Sequence, residues 1–283
     1  MTTSLDSGSE GLRTPAIRAV TLPSIQRGFE QSWSVNDLPW DQLRPEQLDD
    51  NDRSVVRYIT FIEDHIPGYL AWLLRSFPTI GAPDPGEYAI NREYFRFFVA
   101  WAYDEDRHAS TLTRYQIDSG MAVEADLLAE LAVEGTKHFD LPYEHPLQAF
   151  TYTLVQEKAT QLFYQRFREV ATEPVLRRLL ELLGRDEARH FALYSHLVRA
   201  YLRRDGVRAV PHLKDVLHAF RMPLADTLTD YWRWSLRVSK HVRYDHTEAY
   251  GALLRLVDDI VDAPGDTTVD QLASFVHSVQ RLP

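Results

Sequence analysis

The chain has no cysteine among its 283 residues. That absence excludes thiolate metal sites, Cys-ligated iron–sulfur clusters and disulfides together, and it fits the reducing cytoplasm, the compartment expected here. Long apolar runs are missing too: no window approaches the roughly 18 consecutive apolar residues of a membrane-spanning helix. The first residues are rich in Ser, Thr and Gly but have neither a basic start nor an apolar stretch, so residues 1–30 read as a flexible N-terminal tail and not a secretory signal. Positive charge is in short supply. Lys and Arg number 31 against 41 Asp and Glu, a net charge of −10, which argues against nucleic acid as a partner.

What is present is helix. Apolar residues recur at intervals of three and four over about 52–77, 89–119, 122–138, 146–171, 173–203 and 221–239, while strand-like alternation is nearly absent. Breakers such as Gly81-Ala82-Pro83-Asp84-Pro85-Gly86 and Arg204-Asp205-Gly206 fall between these stretches. The hydrophobic content of 45% supports a sizeable core and no linker divides it, so residues 31–283 read as one all-α domain. Pro67 lies four residues after Glu63 and removes the hydrogen bond to its carbonyl, which predicts a kink there.

Six residues carry the chemistry: Glu63, then Glu105 with His108, then Glu157, then Glu187 with His190. Residues three apart on an α-helix differ by about 300° of rotation and one turn of rise, so each Glu-x-x-His pair shares a face and can clasp one metal ion. A lone Glu from each of two further helices would then bridge the ions. Carboxylate oxygens and imidazoles suit iron or manganese. One Glu-x-x-His would arise by chance in a chain of this composition, and a solvated charged helix face is the ordinary explanation for it. Two copies with matched flanks weigh against that: Asp104-Glu105-Asp106-Arg107-His108 and Asp186-Glu187-Ala188-Arg189-His190 state one motif twice.

From about Trp33 to Pro223 the chain resembles the soluble acyl-carrier-protein desaturases of plant plastids and actinobacteria. The resemblance rests on Glu63-Asp64-His65-Ile66-Pro67-Gly68-Tyr69, the two Asp-Glu-x-Arg-His segments, Tyr194, Gln156-Glu157-Lys158-Ala159-Thr160 and Met222-Pro223. It implies a ferritin-like four-helix bundle with flanking helices and a carboxylate-bridged di-iron site in its core, holding two Fe2+ ions, with manganese an alternative in either position. It implies further that Thr160 lies beside the metal pair and acts in oxygen activation. Trp33 matches a surface tryptophan that passes electrons through Asp186 to His108, and Asp104 could support His190 in the same way. The implied reaction is O2-dependent insertion of a cis double bond into an acyl chain carried by acyl carrier protein, in fatty-acid or related lipid biosynthesis. A ferredoxin-type protein would donate the electrons, and the enzyme would be a homodimer.

Two departures bear on the substrate. His65 stands where that family usually has a small apolar residue; two positions past Glu63 it points about 200° away, so it reads as packing or surface and not as a seventh ligand. Trp72 is bulky for the wall of a long acyl channel. The basic runs Arg199, Arg203, Arg204, Arg208, Lys214 and Arg233, Arg237, Lys240, Arg243 are candidate docking sites for an acidic carrier, with a plain solvated face as the ordinary reading. Other readings of the same ligand set are a hydroxylase or N-oxygenase of a specialised pathway, a radical-generating reductase subunit, disfavoured by Leu112 four residues after His108, and an iron-storage protein, disfavoured by chain length and by Thr160.

Overall fold

The computed structural model describes residues 12–244 together with Gly251. Four helices form the bundle: α2 (Asp50–Glu63), α4 (Pro85–Asp118), α6 (Pro146–Val170) and α7 (Pro174–Asp205), with α1 (Thr14–Glu30), α3 (Ile66–Ser76), α5 (Glu124–Gly135), α8 (Val210–Ala219) and α9 (Tyr231–Val242) around them. No strand occurs among the described residues. The fold is the ferritin-like four-helix bundle with flanking helices that the resemblance implies.

Local chemistry sets where the bundle helices begin. The Asp49 carboxylate accepts the Asp52 N–H at 2.7 Å, and Asp84 accepts from Gly86 and Glu87 at 2.7 and 2.9 Å. Proline at the first position follows Asp84 and likewise Glu173, where its missing N–H costs nothing. Glu173 is fully buried and accepts three hydrogen bonds, from the Leu176 and Arg44 N–H groups at 2.7 and 3.0 Å and the Tyr115 hydroxyl at 2.8 Å. It therefore ties the start of α7 to α4 and to the N-terminal segment. The connection between α6 and α7 is so short that the two must run antiparallel.

Along each bundle helix the ligand candidates divide apolar layers. On α4, Tyr94, Phe98 and Trp101 precede Glu105 and His108, and Leu112 and Tyr115 follow; on α7, Leu179 and Leu183 precede Glu187 and His190, and Tyr194 and Tyr201 follow. The antiparallel arrangement stacks these layers, so a polar centre lies between two dry apolar halves. Rings dominate the half on the Tyr94 side, where Phe77, Tyr94 and Phe150 pack with centroids 5.0–5.2 Å apart.

Three expectations are corrected. The tail expected over residues 1–30 is helix from Thr14 onward: α1 buries Ile17, Thr21 and Ser24 against α4 and α7, and Arg18 pairs with Glu93 at 2.6 Å. Small polar residues on the buried stripe hide this helix from a reading of apolar periodicity. Next, Pro67 does not kink one helix but separates two, since α2 ends at Glu63 and α3 begins at Ile66 with Pro67 in its first turn. Last, the helix expected over 221–239 begins only at Tyr231, and α8 precedes it. Leu224 and Asp230 lie at φ 64° and 55°, left-handed conformations that no helix continues through.

Candidate metal centre

The structure brings all six sequence-derived residues to one buried point. Glu63 is the last residue of α2, Glu105 and His108 share a face of α4, Glu157 lies on α6, and Glu187 and His190 share a face of α7; each is at most 7% exposed. They form two groups, Glu63, Glu105, His108, Glu187 and Glu105, Glu157, Glu187, His190, in each of which the nearest ligand atoms lie within 4.8 Å of one another. Glu105 and Glu187 belong to both groups. The sequence reading assigned the bridging role to the lone glutamates, and here the geometry differs: Glu63 and Glu157 each serve one group, while the glutamates of the two repeated motifs are shared.

Both imidazoles aim Nδ1 inward. His108 Nδ1 lies 3.6 Å from Glu63 Oε2, 3.6 Å from Glu105 Oε2 and 3.5 Å from Glu187 Oε1. His190 Nδ1 lies 2.9 Å from Glu105 Oε1 and 3.5 Å from Glu157 Oε2. Even at that shortest separation the angles do not make a hydrogen bond, so both Nδ1 atoms, Glu105 Oε1 and Glu187 Oε1 are buried without hydrogen-bond partners. Unpaired buried donors and acceptors converging on one point are costly unless something binds them. Carboxylates and imidazoles in two interlocked sets of four, without thiolate, fit a pair of hard or borderline divalent cations.

The outer faces of the histidines are held by the opposite repeat. His108 Nε2 lies 3.2 Å from Asp186 Oδ2, and His190 Nε2 lies 3.4 Å from Asp104 Oδ2. Each aspartate is braced by both motif arginines: Arg107 donates to Asp104 at 2.7 Å and Asp186 at 2.8 Å, and Arg189 donates to the same two at 2.7 and 2.8 Å. Trp33 donates its indole N–H to Asp186 at 2.7 Å and stacks on His108 with centroids 6.3 Å apart. The surface position expected for Trp33 is corrected, since it is 6% exposed and covered by the Arg107 guanidinium 4.7 Å above its ring.

Charge at the centre is unevenly held. Burial pushes the Glu63 carboxyl up, and burial with the charges of Glu105 and Glu157 holds Glu187 well above the ordinary carboxylate range. Burial also opposes ionisation of Glu105, but the adjacent imidazoles of His108 and His190 outweigh it and hold this carboxyl low. Burial would likewise strip the protons from His108 and His190, yet their carboxylate neighbours prevail and hold both imidazoles well above the usual value. Asp186 and Asp104 are held low against the pull of burial by the histidines and Arg189.

Thr160 lines a cavity of about 50 Å³ together with Glu63, Glu105, Glu187, His65 and Met222. Its hydroxyl donates to the Gln156 carbonyl at 3.1 Å. His65, read as packing or surface, is 3% exposed and lines this cavity, in neither ligand group. Trp72 is buried behind Tyr69, against which its ring packs edge-on at 5.4 Å, with its N–H on the Leu141 carbonyl at 3.3 Å. Two contacts to the candidate ligands escaped the sequence reading. The Tyr164 hydroxyl hydrogen-bonds Glu63 Oε1, and the Trp101 indole donates to Glu157 Oε1 at 3.2 Å. Tyr164 follows Glu157 by two helical turns, and Trp101 precedes Glu105 by one, so both stand on ligand-bearing faces.

With fold and site described, comparison with known proteins gives a family. The sequence profile of the fatty acid desaturase family matches residues 31–253, and the chain belongs to that family, in its acyl-carrier-protein type. Among curated relatives, acyl-[acyl-carrier-protein] desaturase 6 of Oryza sativa subsp. japonica is 30% identical over 128 residues, 42% of this chain and 30% of that protein. Stearoyl-[acyl-carrier-protein] 9-desaturase 6 of Arabidopsis thaliana is 30% identical over 137 residues, 46% of this chain and 34% of that one. The matched stretches thus span about a third of these relatives' length. Among solved structures, DesA2 of Mycobacterium tuberculosis, assigned as an acyl-ACP desaturase, superposes with a TM-score of 0.61 at 17% identity, covering 92% of this chain and 98% of that one. An R2-like ligand-binding oxidase with a Mn/Fe cofactor gives 0.51 at 14% identity over 92% and 91%. These likenesses show the fold. No helix among the described residues is long and apolar enough to cross a membrane.

Proposed function

We propose that the chain is an O2-dependent oxidoreductase that inserts a cis double bond into an acyl chain carried as a thioester on acyl carrier protein. The observation carrying this reading is the pair of interlocked ligand groups that share Glu105 and Glu187, with both Nδ1 atoms turned inward and unpaired. In this reading Glu63, Glu105, His108, Glu157, Glu187 and His190 hold two iron ions. Manganese in one position is the variant that the Mn/Fe oxidase among the structural neighbours suggests.

An unactivated methylene C–H is not acidic, so neither a carboxylate nor an imidazole can remove its proton as a general base. The metal pair would supply an oxidant made from dioxygen. The balance is one CH2–CH2 unit, one O2, two electrons and two protons giving a cis CH=CH unit and two waters. The protein's own groups prepare the place for this. Asp186 and Asp104 fix the two imidazoles with Nδ1 inward, Tyr164 orients the Glu63 carboxylate, and the apolar layers keep bulk water out. Thr160 lines the cavity beside Glu63 and Glu187, where it would take part in oxygen activation. Trp33 and Asp186 form a hydrogen-bonded and stacked path to His108 for electrons from a ferredoxin-type donor. The acidic carrier would dock on the basic runs, where Arg233 and Arg237 flank the exposed Trp232 and Leu236 of α9. A cytoplasmic homodimer completes the proposal.

Turnover of acyl-carrier thioesters with iron, ferredoxin, its reductase and NADPH tests it. A product lighter by two mass units supports desaturation. A gain of sixteen units replaces it with hydroxylation, and iron oxidation without any change in an acyl chain removes the acyl reading.

A further inference from the structure

The cavity beside the metal centre holds about 50 Å³. A water molecule occupies about 30 Å³ of liquid, and pockets that enclose a whole ligand run from about 300 Å³ upward, so no acyl chain fits there as the wall stands. Part of the wall has to move. Most of it stands on α2, α3, α4, α6 and α7; apart from His65, only Met222, Pro223 and Leu224 lie outside helices. These three belong to residues 220–230, the connection between α8 and α9.

The connection is strained where it meets the cavity. The Ala225 N–H donates to the Met222 carbonyl at 3.2 Å, across Pro223 and then Leu224 at φ 64°. Proline followed by a left-handed residue is the pattern of a type II turn, in which glycine or asparagine normally holds the place of Leu224. A branched side chain is unfavourable there, yet Leu224 is 5% exposed and lines the cavity. The segment ends on a second left-handed residue, Asp230 at 55°. Its hydrogen bonds to the rest of the described structure gather at its two ends. The Tyr152 hydroxyl donates to the Arg221 carbonyl at 3.2 Å. At the other end Glu134 of α5 accepts the Thr229 N–H and hydroxyl at 3.1 and 2.8 Å, and Lys137 donates to that hydroxyl at 2.7 Å. Between these ends the backbone bonds only to itself, and Leu224 and Leu228 hold it to the core by apolar contact.

We propose that residues 220–230 are the door of the acyl-chain site: Thr229 unlatches from Glu134 and Lys137, the segment lifts, and Leu224 withdraws to admit the chain beside the metals. This inference rests on the acyl-chain reading above. Strain at Leu224 offsets part of what its apolar contacts contribute to the closed form, which brings the closed and open forms nearer in free energy. The placement suits a substrate delivered on a carrier. Trp232, on the exposed face of α9 proposed above for carrier docking, follows the latch by three residues, so a carrier seated there bears on the segment that must open.

The chain has no cysteine, so Glu134→Cys combined with Thr229→Cys supplies the only two thiols, at positions whose side chains touch. A short bifunctional methanethiosulfonate bridges them, and dithiothreitol releases the bridge. Association of a long-chain acyl-carrier thioester with the metal-free protein is followed by stopped-flow tryptophan fluorescence, and iron uptake and turnover are measured in parallel. The bridged protein should take up iron like the parent but admit the thioester at least about tenfold more slowly, with dithiothreitol restoring the rate. Thr229→Ala loosens the latch and Leu224→Gly removes the plug, so each should speed association severalfold; a Leu224 that merely packs would change Tm and leave the rate alone. A bridged protein that admits the thioester at the parent's rate overturns the proposal, as do unchanged rates in both single variants. Thioester that binds under control of the bridge but is never turned over supports the door and overturns the desaturase reading. Absence of binding to the parent overturns both.

Discussion

Metal loading of this centre should release protons, and their number can be worked from the structure. Four groups are shifted toward their protonated forms in the metal-free centre. The imidazoles of His108 and His190 are held well up by surrounding carboxylates despite burial, while Glu63 and Glu187 are pushed up by burial first and by neighbouring charge second. The ordinary values are about 6.5 for imidazole and about 4.3 for a Glu carboxyl, so groups raised above them keep protons to higher pH than the free side chains would. A metal ion on Nδ1 must displace the proton there. Two divalent cations carry the same positive charge as the four protons they would replace, so the exchange leaves the buried cluster's net charge unchanged. Release at pH 7 should therefore be at least about two protons per metal pair and at most about four, and the affinity for the pair should rise at least ~100-fold per pH unit while the imidazoles are protonated. Calorimetric titration with Fe(II) or Mn(II) in two buffers of different ionisation enthalpy counts the protons directly. Fewer than one proton per pair, or an affinity flat between pH 6 and 8, would refute the inward Nδ1 arrangement. Chelation should reverse the stabilisation: at ligand about 100-fold above Kd one site contributes ~2.7 kcal/mol, or about 5–10 °C in Tm for a domain of this size.

Further outcomes follow from the same geometry. Glu157→Ala removes a ligand that serves only the His190 group, so it should abolish iron-dependent oxygen consumption while circular dichroism stays helical; full activity would remove Glu157 from the centre. Thr160→Val should keep both metals but lose coupling between oxygen consumed and product formed, and unchanged coupling takes the hydroxyl out of the chemistry. Asp186→Asn leaves His108 Nε2 and the Trp33 indole facing an amide, which should weaken metal affinity or activity by roughly 10–100-fold. Glu93→Gln probes how α1 is attached: Arg18 and Arg96 hold the Glu93 carboxyl low, mainly through the Arg18 hydrogen bond. A depressed carboxyl contributes stability above its unfolded value of about 4.3 that disappears as pH falls through the folded one, so the variant should lose about 1 kcal/mol at pH 7 in urea unfolding, and the difference should shrink as pH falls below about 4.3.

Much of this architecture can be read before folding, and what cannot has definite causes. Glu105, His108, Glu187 and His190 announce themselves because a three-residue spacing on a helix is already a statement about direction in space. Their flanking Asp and Arg residues were visible as a repeat, but not that each histidine meets the aspartate of the other copy, which depends on α4 crossing α7. Bridging was misassigned for a related reason. Spacing tells which face a glutamate occupies, whereas sharing between two metal positions depends on how far each helix penetrates the bundle, and Glu63 sits at the very end of α2. Helix α1 escaped because Thr21 and Ser24 occupy its buried stripe. His65, read as packing or surface and not as a ligand, is buried outside both ligand groups, although the helix breaks at Asp64–His65 and an angle counted along one continuous helix from Glu63 does not apply.

The repeated motif has five positions, yet only two of them belong to the candidate ligand groups. The arginine and the aspartate earn their place by coupling the halves. Arg107 and Arg189 each span Asp104 and Asp186, forming a buried quartet with two charges of each sign, directly behind both imidazoles. Such a quartet is expensive to desolvate, and as a source of stability an apolar patch would do as well. What the apolar patch could not supply is register. Sliding α4 past α7 by one turn would break the two ion pairs that cross between the helices, Arg107–Asp186 and Arg189–Asp104, and carry each histidine away from the aspartate of the other helix, whereas Leu and Val contacts re-form after small slips. Because each aspartate holds the histidine of the opposite helix, neither half of the centre can be assembled correctly unless the other is. The cost of the buried charges is thus tied to the one geometric requirement that a shared two-metal site imposes and a hydrophobic interface cannot meet: that Glu105 and Glu187, on different helices, reach both metal positions at once.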